Sequence, residues 1–168
     1  MKAEKIDPKI RENLFSANTD TVIAAIKEIK NRGNKLYLPI LFDQLTSIPE
    51  REVENEIIDL LATVKNKDVI ESYVSALTNE KYKSIKKTIL TTCWQNGMDY
   101  SNYLPIFVDI IINDNWEVAF EAFTIIDNLE FLPEKEIIES SVIKIEDALK
   151  TADEQKTYLL QEVLKTIT

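Results

Sequence analysis

The chain of 168 residues contains no histidine, one cysteine and only two glycines. Without histidine, no imidazole is present to act as a general base, a proton shuttle or a metal ligand. The single cysteine, Cys93, cannot form an intramolecular disulfide or complete a thiolate zinc site. Low cysteine usage is typical of a reducing compartment, and we expect a cytoplasmic protein.

The scarcity of glycine restricts the kinds of loop that the chain can form. Glycine supplies the left-handed backbone of tight turns and of phosphate-binding loops. Gly33 and Gly97 stand alone, which excludes GxGxxG and Walker-type loops, and we expect no cofactor and no metal ion. The first residues show no apolar signal segment, and the longest aliphatic run, residues 110–112, is far shorter than the ~20 residues that span a bilayer.

Negative charge is concentrated in the last third of the sequence. The formal net charge is −9, of which residues 1–112 carry −1 and residues 113–168 carry −8. Two interpretations stay open for the acidic third: an interface that attracts a basic partner, or the solvated cap of the fold. The acidity disfavours nucleic-acid binding, and we expect neither a nucleic-acid nor a membrane partner. A basic cluster at Lys81, Lys83, Lys86 and Lys87 is interpreted as ordinary surface.

Apolar residues recur at the 3.6-residue period of an α-helix in ten segments. The first segment runs from Pro8 to about Phe15, with Asp7 in the position of an N-cap. The others begin near these apolar residues: Val22, Leu38, Val53, Val69, Ile85, Tyr103, Val118, Ile137 and Tyr158. The sequence therefore predicts an all-α fold of roughly ten helices.

The helical segments repeat one another at intervals of about 32 residues. Residues 37–43 (YLPILFD) return as residues 103–109 (YLPIFVD) with five identities in seven positions, and residues 69–75 form a weaker copy between them. The preceding helices open at Val22, Val53, Ile85 and Val118, with spacings of 31, 32 and 33 residues. Self-similarity at this period predicts a helical solenoid built from pairs of helices.

The Tyr-Leu-Pro-Ile opening at Tyr37 and Tyr103 resembles the second helix of HEAT and HEAT-like repeats. In that pattern an apolar residue is followed by proline, any residue and leucine, and proline fits the first helical turn because its missing N–H has no helical partner there. The resemblance covers about residues 19–132. The Asp and Arg residues that link HEAT repeats are not recognisable, so the chain is closer to the wider armadillo-like class.

This resemblance implies an α-α superhelix of about four to five helix pairs in one domain, residues 1–168. Within it, residues 1–18 form an N-terminal cap helix, residues 19–132 form the repeats and residues 133–168 form acidic cap helices. The resemblance also implies a non-enzymatic scaffold that binds a protein or peptide, possibly a basic one, on the concave face of its second helices. Candidate partner-binding residues occupy equivalent columns of that face: Tyr37, Asp43, Glu71, Ser75, Tyr103 and Asp109. In the competing interpretation, the two tyrosines pack between repeats and the carboxylates are merely solvated.

Two other functions remain as alternatives. Some HEAT-like proteins are DNA alkylpurine glycosylases, which need a basic concave face, whereas this chain has only three arginines. Trp94 and Trp116 are expected to be core residues or wedges between repeats, and Cys93 is expected to be a buried, inert thiol. The second alternative is an acidic inhibitor or immunity-like protein that neutralises a basic partner through residues 113–168.

Overall fold

The structure, a computed structural model, describes residues 4–168, and in these residues it contains helices and turns but no β-strand. Ten α-helices are present there, so the predicted all-α class and the predicted helices are confirmed. In chain order they are α1 (Pro8–Leu14), α2 (Thr19–Arg32), α3 (Leu38–Thr46), α4 (Arg51–Thr63), α5 (Ile70–Leu77), α6 (Lys86–Asn96), α7 (Leu104–Asn113), α8 (Trp116–Asp127), α9 (Lys135–Leu149) and α10 (Glu154–Ile167).

Short polar side chains fix the beginnings of several helices. The Asp7 carboxylate accepts hydrogen bonds from the backbone N–H groups of Lys9 at 2.8 Å and Ile10 at 3.4 Å, which confirms the predicted N-cap of α1. Such bonds satisfy N–H groups of the first helical turn that have no partner within the helix. The same type of cap begins three other helices: Asn18 in α2, Asn115 in α8 and Asp153 in α10.

The connections that lead into α3, α5 and α7 share one local geometry. In each, a side-chain oxygen accepts the backbone N–H two residues later at 3.0 Å, and a 3₁₀ turn then runs directly into the helix. The accepting residues are Asn34, Asn66 and Asp99. Pro39 and Pro105 are the second residues of α3 and α7, where a backbone N–H would have no helical partner.

Both glycines occupy positions at which another residue would be strained. The Gly33 N–H donates to the Ile29 carbonyl at 2.7 Å as α2 ends, and a Cβ atom at Gly33 would lie 2.5 Å from that carbonyl oxygen. Gly97 has a φ of 60°, in the left-handed region that glycine adopts without steric penalty. Ile48, which is 89% exposed, also has a positive φ of 54° although it is β-branched.

The helices fall into two compact units, of which the first ends at Asn96 and contains α1 to α6. Within it, α4 packs between α2 and α6, while α3 packs against α5. Ile26, Ile57 and Ile89 lie on α2, α4 and α6, and all three are 0% exposed. These isoleucines are the apolar residues that recur at the repeat interval in the sequence, and together they centre the core of this unit.

The second unit spans Gly97–Thr168 and contains α7 to α10. Here α7 packs against α8 and α9, and α10 packs against α8 and α9. Phe107, Ala122, Ile145 and Leu159 contribute one fully buried side chain from each helix. Each helix therefore buries its apolar face against helices of the same unit.

Cysteine and tryptophan differ in how far they follow the sequence-based expectation. Cys93 is buried, as expected. Burial, together with the nearby Cys93 thiol, raises the pKa of Tyr73, whose hydroxyl donates to the Leu61 carbonyl at 2.8 Å. Trp94 and Trp116 each remain 37% exposed, so neither indole is a core residue. Among the described residues, no helix combines the length and the apolar character needed to cross a membrane.

Replacing Gly33 with alanine should lower the free energy of unfolding by about 1–3 kcal/mol, because the new methyl group would be forced against the end of α2. Equilibrium urea unfolding measures this change. Asn31→Ala is the matched control: it lies exposed in the same helical turn and should change stability by less than about 0.5 kcal/mol. Equal stabilities for the two variants would contradict the close approach at Gly33.

Candidate functional site

A surface groove of about 380 Å³ lies in the first unit beside α3 and α5. Residues of both helices line it, together with residues of the segment that follows α5. Those that shape it are Pro39, Phe42, Glu71, Ser75, Asn79 and Tyr82. Two of the predicted partner-binding residues, Glu71 and Ser75, therefore lie on a common groove.

Packed aromatic rings form the floor of this groove. The Phe42 ring is 1% exposed and meets Tyr82 edge to face, with centroids 5.6 Å apart, and Tyr73 in the same manner at 5.7 Å. Edge-to-face pairs place the positive edge of one ring against the negative face of the other, which stabilises a defined geometry. The floor is consequently apolar and held by packing from α3, α5 and the 3₁₀ segment Glu80–Ile85.

Asp43 joins α3 to that 3₁₀ segment. Its carboxylate accepts a hydrogen bond from the Tyr82 hydroxyl at 2.8 Å and forms an ion pair with the Lys81 ammonium at 2.5 Å. The same ammonium lies 5.4 Å from the centre of the Tyr82 ring, within cation–π range. These contacts fix the edge of the groove at Tyr82.

Burial, followed by the hydrogen bond and the charge of Asp43, raises the pKa of Tyr82 from 10.0 to about 12. The Tyr82 hydroxyl is therefore protonated at neutral pH and remains a donor to Asp43. Because the pKa is higher in the folded state, this contribution to stability is fully present below pH 10 and is lost as pH rises through about 12.

Glu71 and Ser75 lie one helical turn apart on α5, and both are exposed. They place a carboxylate and a hydroxyl on the polar rim above the aromatic floor. Tyr37, by contrast, is only 2% exposed, and its hydroxyl accepts the Asp7 backbone N–H at 2.7 Å. The prediction that Tyr37 contacts a partner is corrected accordingly, since its ring is used to pack the residues that precede α1.

Tyr103 and Asp109 belong to the second unit, where both are half-buried. Asp109 lies 2.8 Å from the Lys144 ammonium of α9. Asp43 and Asp109 occupy equivalent sequence columns, and each is paired with a lysine from an element that follows it in the chain. The predicted surface carboxylates are therefore also packing residues.

Sequence reasoning did not anticipate the role of Lys81. It was grouped with its neighbouring lysines as ordinary surface, whereas the structure pairs it with Asp43. The signal lies in the separation of the two residues, which is slightly longer than one repeat and brings Lys81 back beside α3. Among the residues that the structure describes, no group of three or more acidic or cysteine side chains could hold a metal ion.

Replacing Asp43 with asparagine should lower the pKa of Tyr82 below about 12, because the hydrogen bond to a charged acceptor and its negative charge are both removed. The pKa should stay above 10.0, since burial persists. Ultraviolet titration of tyrosinate measures the change after subtraction of a Tyr82→Phe variant. Asp109→Asn removes the equivalent aspartate of the second unit and should leave the pKa of Tyr82 unchanged. An unaltered pKa in Asp43→Asn would contradict the assigned coupling.

Comparisons with known proteins give this site no precedent. No protein-family model, no curated protein and no solved structure matches the chain.

Proposed function

We propose that the chain is a non-enzymatic binding module whose groove beside α3 and α5 holds a peptide or an exposed segment of a protein. The observation that carries this proposal is the meeting of Glu71 and Ser75 above the floor formed by Phe42 and Tyr82. An apolar, rigid centre with a polar rim is the usual anatomy of a protein interface. The groove would take an apolar side chain on its floor and main-chain or side-chain donors at its rim.

The charges around the groove favour a protein ligand over nucleic acid. In the described part of the chain, the residues that line the groove include one carboxylate, Glu71, and neither lysine nor arginine. Phosphate groups need cationic partners, and a carboxylate repels them. A lysine, an arginine or a backbone N–H of a peptide would instead be attracted to Glu71.

Rigidity of the groove supports binding for a second reason. Asp43, Lys81 and Tyr82 connect α3 to the segment beside α5 before any ligand is present. A surface that is already ordered loses little conformational entropy on binding. This arrangement supports affinity from a small contact area.

We further infer that the helices form an α-α superhelix of the HEAT-like or armadillo-like kind. In the first unit, first helices pack on first helices (α2, α4 and α6) and second helices pack likewise (α3 and α5). In the second unit, α7 contacts α9 and α8 contacts α10. The shared corners at Asn34, Asn66 and Asp99 follow one another at 32 and 33 residues, which supports a repeating two-helix unit.

Peptide display with the intact chain as bait tests the groove directly. Peptides selected on the wild-type chain should bind at least tenfold more weakly to Ser75→Arg, because the long arginine side chain would occupy the groove. Ser75 is exposed, so the substitution leaves the core unchanged. Affinity is measured by fluorescence anisotropy of the labelled peptides.

Ser140→Arg provides the matched control, since Ser140 is an exposed serine of α9 in the second unit. It should retain wild-type affinity. Equal binding to both variants, or failure of the library to yield any peptide, would refute the groove as a peptide-binding site.

A further inference from the structure

The outward face of α8 carries a stripe of aromatic side chains. Trp116, Phe120 and Phe123 follow one another at spacings of four and three residues, which places them on one side of the helix. Their neighbouring ring centroids are 5.8 and 6.2 Å apart. Trp116 is 37% exposed and Phe120 is 45% exposed. Adjoining aromatic rings left in contact with water are a mark of an interaction surface.

The connection from α8 to α9 exposes further apolar side chains. Phe131 is 63% exposed and Leu132 is 55% exposed, whereas the next residue, Pro133, is buried. The backbone entering this connection is held by hydrogen bonds, including one of 3.2 Å from the Leu129 N–H to the Ile126 carbonyl. The two exposed side chains are thus presented by a connection that is anchored at both ends.

Uncompensated carboxylates surround these apolar residues. Residues 113–168 carry a net charge of −8 and are described throughout, and all five of their lysines are engaged within the second unit. Lys135, Lys144, Lys150 and Lys165 pair with Glu139, Asp109, Asp147 and Glu162, and Lys156 donates to the Ile112 carbonyl. The pairing leaves no lysine of this stretch to neutralise the exposed Asp127, Glu130, Glu134 and Glu136.

We propose that α8 and the connection after it form an acidic–aromatic surface, defined by Trp116, Phe120, Asp127, Glu130 and Phe131, that docks a lysine- or arginine-rich amphipathic segment of a partner protein. The apolar side of such a segment would cover the rings, and its cations would meet the unpaired carboxylates. Charge complementarity of this kind accelerates encounter and selects the partner.

The same charges select against other occupants. A second copy of this chain would bring two surfaces of like charge together, which is unfavourable without compensating cations. Anionic lipid headgroups and nucleic acid would be repelled in the same way. The proposal therefore commits to a basic protein segment, and it is independent of the groove beside α3 and α5.

A designed amphipathic helix of leucine and lysine serves as the probe, with a leucine–glutamate peptide of the same pattern as its counterpart. Fluorescence anisotropy with the intact chain should show micromolar binding of the lysine peptide and none of the glutamate peptide. Binding should weaken at least tenfold when salt rises from about 50 mM to about 500 mM, because exposed charges are screened.

Two variants locate the binding on this surface. Phe120→Ser removes an exposed ring, and Glu130→Gln removes an exposed charge of the connection; each should weaken the lysine peptide at least threefold. Phe15→Ser and Glu52→Gln are the matched controls, since both residues are exposed in the first unit and should have no effect. Circular dichroism verifies that all four variants retain the helical content of the wild type.

Three results would overturn the proposal. The first is equal binding of the lysine and glutamate peptides. The second is equal affinity of the lysine peptide for the surface variants and their controls. The third is concentration-dependent self-association that Phe120→Ser abolishes in sedimentation velocity, which would assign the surface to a second copy of the chain.

Discussion

Burial of one apolar stripe per helix is the constraint on which the rest of this structure depends. A helix such as α4 has apolar side chains on more than one side and cannot cover them by pairing with a single neighbour. Ile57 on α4 becomes fully buried because α2 and α6 lie on either side, each contributing an isoleucine at the equivalent position. A residue pattern repeated about every 32 positions therefore becomes a packing pattern.

Polar contacts then set the local details that this packing leaves open. Asn34 and its equivalents turn the chain between helices, and Gly33 allows the end of α2 to close on itself. Asp43 ties α3 to the segment after α5 and so holds the edge of the groove. The groove and the acidic–aromatic surface of α8 thus differ in origin: one is formed between packed helices, and the other by side chains that the core leaves uncovered.

The helices, the Asp7 cap and the buried isoleucines could be predicted from the sequence, because each depends on periodicity or on neighbours a few residues away. Glu71 and Ser75 could be assigned to a common surface for the same reason. The inward position of Tyr37 could not, since a tyrosine at the start of a helix fits both a core and a rim. The Asp43–Lys81 pair also escaped prediction, because it depends on which elements meet in three dimensions.

Hydrogen exchange of the Ile57→Ala variant tests the central claim, that each helix of the first unit is stabilised by the helices on both sides. The substitution should remove about 2–5 kcal/mol of stability. The account predicts that amides of α2 and α6 lose protection together with those of α4 in mass-spectrometric exchange. Loss of protection confined to α4, with α2 and α6 unchanged, would contradict it.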